Sequence, residues 1–467
     1  MDLAPIFESL QQKIRPEALD AIRQLIRAAP DNRLSRINPL RFGGEHGLTD
    51  REAIGTFVRV TRSGLFDLDW SVLCSHCAGT LCSARALQDI TEDDYACALC
   101  ATHNAPVLDQ NVEVTFTVSP RVRKIAAHSP DGLPFWDFAQ QVCWSSGIEL
   151  PSDVATLMGG VVLDTVVLPG QDSARRMLAL DSGTVVVFDL VSHTAQFLNA
   201  EGPACETPQE ISIEIGGHHG PRPAINLRPG PVEILLRNVA PRRALPAVLR
   251  IGEGLSNLVS RRVPFLTAKR LLTDQTFRDV YRTDFLNIDQ RFKITNLTFL
   301  FTDLKGSTEL YEKIGDLAAY DLIQMHFRVL SGIVAERSGA IVKTIGDSVM
   351  ATFSTPKDGL EAALLMRNAM DELNERNLRG DIILKIGLHA GPCLAVSVNE
   401  RQDYFGQTVN IASRLQSLAK ARSILTTKTV IADEACRALV NSERLVVRYD
   451  RSALRGIQDK METYEIA

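Results

Sequence analysis

Residues 297–308 read LTFLFTDLKGST, an apolar, β-rich run that ends in an aspartate and passes into a glycine-containing turn. The run predicts a buried strand that holds Asp303 at its rigid end. The turn and the start of the helix-like segment after it consist of Leu304, Lys305, Gly306, Ser307 and Thr308. Backbone N–H groups in such a turn, and a helix N-terminus, suit a polyphosphate. A strand-end aspartate is also common as a plain turn or cap residue, so this stretch alone leaves both interpretations open.

A second aspartate, Asp347, closes a similar run, which reads IVKTIGD at residues 341–347. Two carboxylates at the ends of neighbouring strands can bridge a pair of hard divalent cations, the usual arrangement for chemistry on a phosphate. The presence of both runs in this order favours a metal site over two unrelated turn residues.

Residues 403–414 read DYFGQTVNIASR and have a helical pattern from Val409 onward. Asn410 and Arg414 are four residues apart, so they share one helix face. An amide beside a guanidinium suits a substrate that has a ribose and a phosphate. The alternative is a polar face that is paired with solvent or with a neighbouring acid.

Residues from about 294 to 467 resemble the catalytic domain of the class III nucleotide cyclases, the family of the adenylate and guanylate cyclases. The matching motifs are FTDLKGST (301–308), KTIGD (343–347), DYFG (403–406), TVNIASR (408–414) and LRGI (454–457) with TYE (463–465). Ordered motifs of this number are far more specific than one short pattern. The resemblance implies an α+β, ferredoxin-like fold for this part of the chain and a homodimer formed through it.

The resemblance also implies a role for each matching residue. Asp303 and Asp347 would hold two Mg²⁺ or Mn²⁺ ions in each active site. Asn410 would orient the ribose, and Arg414 would stabilise charge on the α-phosphate during an in-line attack by the 3′-hydroxyl. As in relatives, the metal ligands of one subunit would face the nucleotide-binding residues of the other.

The chain departs from the family pattern at three places. Arg455 stands where the family usually has a phosphate-binding lysine, and Lys460 is a weaker candidate for that contact. Ser307 stands where an aromatic residue is usual. The hairpin at residues 391–403 is shorter than the common form and lacks its glycines, which affects the expected dimer geometry rather than the chemistry.

The base-recognition positions of the family are occupied by Lys343 and Asp403. Asp accepts from the exocyclic amino group of adenine and Lys donates to a ring nitrogen, so the resemblance implies ATP rather than GTP. The predicted activity is therefore adenylate cyclase. The alternatives are a guanylate cyclase and a catalytically silent, nucleotide-binding signalling module.

The composition, with 45% hydrophobic and 23% charged residues in 467, is that of a globular protein with several domains. A net charge of −5 gives no general attraction to nucleic acid or to anionic membranes. No apolar run has the length of a membrane span, and the N-terminus lacks a signal-peptide pattern. We therefore expect a cytoplasmic protein with neither nucleic acid nor membrane as a partner.

Nine cysteines are present, and four of them form two C-x-x-C knuckles: Cys74 with Cys77, and Cys97 with Cys100. This spacing suits one structural Zn²⁺ in a zinc ribbon, with Cys82 as a spare and His76 or His103 as substitute ligands. The alternatives are a redox dithiol and a chance cluster. A redox motif, however, more naturally has a single C-x-x-C near a βαβ unit.

The rest of the N-terminal part reads as helices followed by strands. Residues 5–27 and 50–62 predict helices, and residues 60–70 resemble the helix-to-wing step of a winged-helix module without a basic stripe. Alternating apolar residues predict the strands, at 112–118, 185–188, 211–215 and 232–236. The loop GGHHG at 216–220 is either a ligand or metal loop or simply exposed.

We predict five parts. They are a helical, winged-helix-like region (1–72), a zinc ribbon (73–108), a β-rich, sandwich-like regulatory domain (109–252), a helical segment that transmits a signal or is a passive linker (253–293), and the cyclase domain (294–467). This arrangement resembles bacterial multidomain cyclases with an uncharacterised, zinc-ribbon-containing N-terminal region. The regulator of that region is unknown.

Overall fold

The computed structural model describes residues 3–149, 158–217, 222–254, 260–281, 290–376, 382–398, 401–457 and 459–467. The chain forms two compact units. The first unit contains Met1–Pro106 and Gln110–Leu266, and the second contains Val107–Asp109 and Thr267–Ala467. The chain therefore passes between the units three times. Within the described residues, no helix has both the length and the apolar composition that crossing a membrane needs.

The first unit begins with four helices: α1 (Ala4–Leu10), α2 (Pro16–Ala28), α3 (Pro39–Glu45) and α4 (Asp50–Arg62). The prediction of a single helix at 5–27 is wrong. Pro16 is the first residue of a new helix, and a proline cannot continue the preceding one. The predicted start of α4 is confirmed. Thr49 accepts a hydrogen bond from the Glu52 amide, and Glu52 accepts one from the Thr49 amide.

A small antiparallel sheet in the order β2-β1-β5 packs against these helices. Its strands are β1 (Phe66–Leu73), β2 (Thr80–Ala84) and β5 (Val112–Val118), and a separate hairpin consists of β3 (Tyr95–Cys97) and β4 (Thr102–Asn104). The rings of Phe57, Phe66 and Phe116 meet in the core between α4 and the sheet. Beyond β5 lie the short helix α5 (Phe135–Phe138) and a π-helical turn (Ala139–Cys143).

The remainder of the first unit is the β-sandwich-like part, but the strand at 112–118, which was predicted to belong to it, is β5 and pairs with β1 instead. One sheet has the order β10-β12-β7 and the other β11-β9-β8-β13-β6. Their strands are β6 (Val162–Thr165), β7 (Ser173–Leu180), β8 (Gly183–Asp189), β9 (Thr194–Ala200), β10 (Gln209–Ile215), β11 (Ile225–Leu227), β12 (Gly230–Asn238) and β13 (Pro246–Arg250). Alternate residues of β12 are buried, and they share one core with the other sheet. In the predicted loop at 216–220, His218, His219 and Gly220 lie outside the described residues.

The second unit is built on one large sheet in the order β15-β16-β14-β17-β19-β21-β20, with β18 paired to β17. All these pairs are antiparallel except β17 with β19. The strands are β14 (Arg291–Leu304), β15 (Gly339–Ile345), β16 (Ser348–Phe353), β17 (Leu384–Val398), β18 (Arg401–Phe405), β19 (Ile424–Thr427), β20 (Val447–Ser452) and β21 (Met461–Ile466). The α+β class predicted for this part is confirmed.

Helices complete the second unit. They are α6 (Ala268–Leu272), α7 (Gln275–Val280), α8 (Ser307–Ile314), α9 (Asp316–Glu336), α10 (Pro356–Arg376), α11 (Gln407–Leu418), α12 (Lys428–Ile431) and α13 (Glu434–Ser442). The predicted linker helix is divided in two, because Asp274 caps α7 by accepting from the Phe277 amide at 3.0 Å. Residues 282–289, where that helix was predicted to end, lie outside the described residues.

Gly387 of β17 decides where α11 lies. A Cβ at this position would be 2.2 Å from the Gln416 nitrogen and 2.5 Å from the Ala412 carbonyl oxygen, so only glycine lets the helix approach the strand. Ile411 and Leu415 bury the inner face of α11. Its outer face, which carries Asn410, is left exposed.

Residues Val107–Asp109, called the strap below, belong to the second unit although both neighbouring segments belong to the first. They lie on β14 where its pairing with β17 is interrupted between Ile294 and Leu297. The Asp109 carboxylate accepts from the Thr295 amide at 2.9 Å and from the Asn296 amide at 3.2 Å. The strap therefore supplies the hydrogen bonds that this bulge would otherwise lack.

Candidate active site and cysteine cluster

Asp303 is the last but one residue of β14 and pairs with Lys385 of β17. The hydroxyl of Ser348 donates to Asp303 Oδ1 at 2.9 Å. One residue earlier, Thr302 Oγ1 accepts from the Val349 amide at 3.2 Å. These two bonds attach the end of β14 to the start of β16, so a rigid strand end holds the carboxylate, as predicted.

Asp347 lies in the turn between β15 and β16, directly after Gly346, which has a φ of +62°. Its Oδ2 is buried and has no hydrogen-bond partner among the described residues. His326 of α9 is fully buried, and this burial, opposed by the Asp347 charge, lowers the pKa of His326 to about 4. The imidazole is therefore neutral at pH 7 and gives Asp347 no positive partner. Because Asp303 lies on the strand paired with β16, these hard oxygen donors fit a divalent cation.

A turn at Lys305 and Gly306 follows β14. Gly306 has a φ of +74°, and the Lys305 amide donates to the Ile383 carbonyl at 2.9 Å. Leu304 is buried in the core, so only its backbone is available to a ligand. The backbones of Ser307 and Thr308 begin α8, while their side chains lie outside the described residues.

Lys343 of β15 and Asp403 of β18 form an ion pair although they are 60 residues apart. The other carboxylate oxygen of Asp403 accepts from the Tyr404 amide at 2.9 Å. The Lys343 side chain is 43% exposed and that of Asp403 is 16% exposed. The structure thus brings the two predicted base-recognition residues together in one chain, with solvent access from the lysine side.

Arg414 of α11 lies against the turn that contains Arg455. A Cβ on Gly456 would be 3.3 Å from Nη2 of Arg414, and the φ of Gly456 is +74°. Arg455 and Lys460 are both exposed. Arg414 therefore lies beside the turn that carries Arg455.

The predicted site residues do not all lie at one end of the sheet. Asp303 pairs with Lys385, near the start of β17, whereas Asp403 pairs with Val396, near its end. Asp303 and Asp403 thus lie toward opposite ends of β17, whereas Lys343 of β15 is only four residues from Asp347 and contacts Asp403.

The four predicted zinc ligands come together in the first unit. The sulfur atoms of Cys74, Cys77, Cys97 and Cys100 all lie within 4.8 Å of one another. The Gly79 amide points at Cys77 Sγ at 3.4 Å, a contact that suits a thiolate. Four sulfurs at this distance fit a tetrahedral Zn²⁺ site. Cys82 is not part of the cluster, and burial raises the pKa of its thiol.

Neither histidine proposed as a substitute ligand belongs to this cluster. His103 pairs with Asp94 at 2.5 Å. The sequence analysis missed His193 instead, whose Nε2 lies 3.4 Å from Cys97 Sγ. His193 comes from the turn between β8 and β9, 96 residues from Cys97, and no local pattern marks it.

Ordered hydrogen bonds hold the turn that presents His193. The buried Asp189 accepts from the Ser192 amide at 2.7 Å and from the Leu245 amide at 2.5 Å. His193 itself has a φ of +54°, and its ring meets that of Phe188 edge to face. This histidine is therefore fixed beside the cysteine cluster by the β-sandwich.

Comparison with known proteins gives two family matches. Residues 1–279 match a family described as a family of unknown function (DUF5939), and residues 290–467 match the adenylate and guanylate cyclase catalytic domain. An adenylate cyclase of Anabaena cylindrica is 30% identical over 186 residues, which cover 36% of this chain and 36% of that protein. One of Glutamicibacter nicotianae is 29% identical over 174 residues, which cover 36% of this chain and 38% of that protein.

Among solved structures, the adenylyl cyclase CyaB from P. aeruginosa is similar at 25% identity and a TM-score of 0.34, over 38% of this chain and 96% of that chain. The chain spans less than two fifths of the length of the two curated relatives. The match to residues 1–279 covers more than half of the chain. The chain therefore belongs to the DUF5939 family, and its residues 290–467 are an adenylate and guanylate cyclase catalytic domain.

Proposed function

We propose that the protein is an adenylate cyclase that converts ATP to 3′,5′-cyclic AMP and pyrophosphate. One observation carries this proposal: Asp303 and the buried oxygen of Asp347, which has no hydrogen-bond partner among the described residues, lie at neighbouring strand ends of a cyclase catalytic domain. A buried carboxylate oxygen without a partner costs about 1–3 kcal/mol. A bound cation removes that cost.

Asp303 and Asp347 would hold two Mg²⁺ or Mn²⁺ ions. These ions, when bound, lower the pKa of the ribose 3′-hydroxyl and neutralise charge on the pyrophosphate that leaves. Rigid placement of both carboxylates matters because the displacement at the α-phosphate is in line and depends on position and charge.

The remaining phosphate contacts come from the turn, the start of α8 and the two arginines. Gly306 allows the turn conformation that presents backbone N–H groups to a polyphosphate. Arg414 would stabilise charge on the α-phosphate, and Arg455 would contact the phosphates in place of the usual lysine. Asn410, exposed on the same helix as Arg414, would orient the ribose.

The Lys343–Asp403 pair supports ATP as the substrate. Asp403 would accept from the amino group of adenine while Lys343 donates to a ring nitrogen. In the structure the two side chains neutralise each other. A partly exposed ion pair contributes only about 0–1 kcal/mol, so a base can replace that contact at little cost.

We further propose a homodimer through the catalytic domain. Asp303 and Asp403 pair with Lys385 and Val396, which lie toward opposite ends of β17 within one chain. Two copies arranged about a two-fold axis would place the metal ligands of each chain opposite the base pocket of the other.

For the first unit we propose one structural Zn²⁺ held by Cys74, Cys77, Cys97 and Cys100. His193 would donate to the Cys97 sulfur as an outer hydrogen-bonding partner. In this proposal the first unit regulates the cyclase, and the use of ATP suits the cytoplasmic location expected from the sequence.

The test is an assay of the purified full-length protein with ATP or GTP and with Mg²⁺ or Mn²⁺, followed by chromatographic identification of the product. Cyclic AMP made from ATP, with little cyclic GMP made from GTP, is the expected result. Preferential formation of cyclic GMP would identify a guanylate cyclase. Nucleotide binding without any product would identify a silent signalling module.

A further inference from the structure

A cleft of about 490 Å³ opens in the first unit between the N-terminal helical segment and the π-helical turn. Its volume lies in the range of sites that bind small molecules, about 300–1,000 Å³. Leu25, Ile37, Phe42 and Ile148 form its apolar walls. The rest of its lining is polar and includes several arginines, glutamines and serines.

Two uncommon backbone conformations occur at this cleft. Arg36 has a φ of +47°, a conformation that costs a non-glycine residue about 1–2 kcal/mol. On the other side, the Trp144 amide bonds the Ala139 carbonyl at 3.3 Å, which gives the π-helical turn that places Gln140 and Gln141 on the lining. π-Helical turns are rare in proteins, and those that do occur often lie at functional sites.

Two buried polar atoms beside the cleft have no hydrogen-bond partner within the part of the chain that the structure describes. They are Oε1 of Gln141, a residue that is 6% exposed, and Nε of Arg36. The other guanidinium nitrogens of Arg36 donate to Thr80, Val142 and Glu113. More than nine tenths of buried polar groups in proteins are paired. An acceptor and a donor left together at one cleft therefore point to a ligand, which the broad terminal torsion of Gln141 can meet.

The charges of the cleft favour an anion. The fully buried Glu113 does not line the cleft, but it neutralises Arg36 and also accepts from Ser145 and Ser146 of the lining. At its mouth Arg33 and Arg41 share a single carboxylate, that of Glu45. Partial burial raises the pKa of Glu45, but the bonds from these two arginines outweigh it and lower the pKa overall. The mouth thus has two guanidinium groups for one ionised carboxylate.

We propose that this cleft binds a small organic anion whose uncharged end offers a hydrogen-bond donor to Gln141 and an acceptor to Arg36, and whose anionic group lies between Arg33 and Arg41. The edge of a purine has an amino group beside a ring nitrogen, so a purine nucleoside monophosphate has this chemistry. A carboxamide-bearing carboxylate, such as N-acetylglutamine, has it as well. The proposed site can be tested independently of the cyclase reaction, because the experiment measures binding of the ligand and not turnover.

The experiment is isothermal titration of the full-length protein with AMP, cyclic AMP, GMP and N-acetylglutamine. We expect saturable binding of at least one probe, one per chain. Gln141→Leu, which keeps the size but removes the acceptor, should weaken binding at least tenfold. Arg41→Ala, on the exposed mouth, should weaken it severalfold and reduce its dependence on salt.

Two controls separate this site from the catalytic domain. Lys343→Ala should not change the part of the binding that Gln141→Leu weakens, because it alters only the base pocket of the second unit. Gln141→Leu should keep wild-type cyclase activity without the probe and wild-type tryptophan fluorescence, which shows that it is folded. Binding of the nucleotides alone, or of N-acetylglutamine alone, supports the site and identifies the chemical class of its ligand. Absence of binding at about 1 mM for all four probes overturns the proposal. So does binding that neither Gln141→Leu nor Arg41→Ala weakens, or of which Lys343→Ala removes the part that depends on Gln141.

Discussion

The cysteine cluster and the carboxylate site are built in opposite ways. The four sulfurs come from two short turns of one chain and already lie within 4.8 Å of one another. The proposed catalytic residues are spread from residue 303 to residue 455, and they come from separate strands, a helix and turns of the second unit. A site made from neighbouring turns is complete when one unit folds. A site made from distant strand ends needs, in our proposal, a second copy of the chain.

The strongest test of the carboxylate site is the removal of a carboxylate. Asp303→Ala and Asp347→Ala should each lower cyclase activity by about 10³-fold or more, because charge on the reacting phosphates is no longer stabilised. Asp450→Ala is the matched control, since it removes an exposed strand carboxylate of the same unit. The measurement is initial rate with ATP, beside circular dichroism to confirm the fold. A variant that retains most of its rate would refute the two-metal assignment.

The base pocket should give the next largest effect. Lys343→Glu together with Asp403→Cys should lower kcat/KM for ATP by about 100-fold, because each lost or reversed hydrogen bond costs about 1–3 kcal/mol. Lys420→Glu is the control, because Lys420 pairs with Glu465 at 3.1 Å on the exposed surface of the same unit. An unchanged ratio of ATP to GTP use in the double variant would show that these residues do not read the base.

The next prediction concerns His193, the outer hydrogen-bonding partner of the cysteine cluster. His193→Ala should lower zinc affinity about 10-fold, since loss of an outer hydrogen bond typically weakens a metal site by that amount or more. Competition with a chelator measures the affinity. All three tryptophans, Trp70, Trp136 and Trp144, lie in the first unit, so their fluorescence reports whether that unit stays folded.

Two further variants are controls for the zinc measurement, one expected to abolish binding and one expected to leave it unchanged. Cys97→Ser should abolish stoichiometric binding, and His103→Ala should change nothing, because His103 pairs with Asp94 instead. Equal zinc affinity in the His193→Ala and wild-type proteins would remove His193 from the site. Freshly purified wild-type protein without zinc would rule out the metal itself.

Complementation between chains is the smallest expected signal. It tests directly whether the carboxylate site needs residues from two copies of the chain. Asp303→Ala and Arg414→Ala chains should each be inactive alone. When they are mixed, about half of the dimers are heterodimers with one intact site of two, so activity should reach roughly a quarter of the wild-type value. A mixture that stays inactive despite proven subunit exchange would place the whole site within one chain.

The sequence predicted what local patterns control. Apolar, β-rich runs placed Asp303 and Asp347 at strand ends, the C-x-x-C spacing predicted the cysteine cluster, and the helical pattern at 50–62 predicted α4. These features depend on residues within a few positions of one another. The roles of the catalytic residues came from the family resemblance rather than from any pattern, and they stay predictions.

Contacts between distant residues were not predictable in this way. His193 meets Cys97 across 96 residues, and Asp109 meets Thr295 across 186. Both contacts depend on how whole strands pack, and neither residue belongs to a motif. Helix ends were also missed where one residue overrides a periodic pattern, as Pro16 does at the first position of α2 and Asp274 does before α7.

The strap imposes an order on folding. Asp109 and Thr295 are 186 positions apart, and most of the chain between them belongs to the first unit. Closing so long a loop in an unfolded chain is slow and entropically costly. The cost falls once the first unit has folded, and that unit is also the first to leave the ribosome. The strap is then available before β14 is synthesised. A catalytic fragment that begins near residue 290 would lack it and leave the amides of Thr295 and Asn296 without their partner, so the cyclase domain depends on the N-terminal half for its own completion.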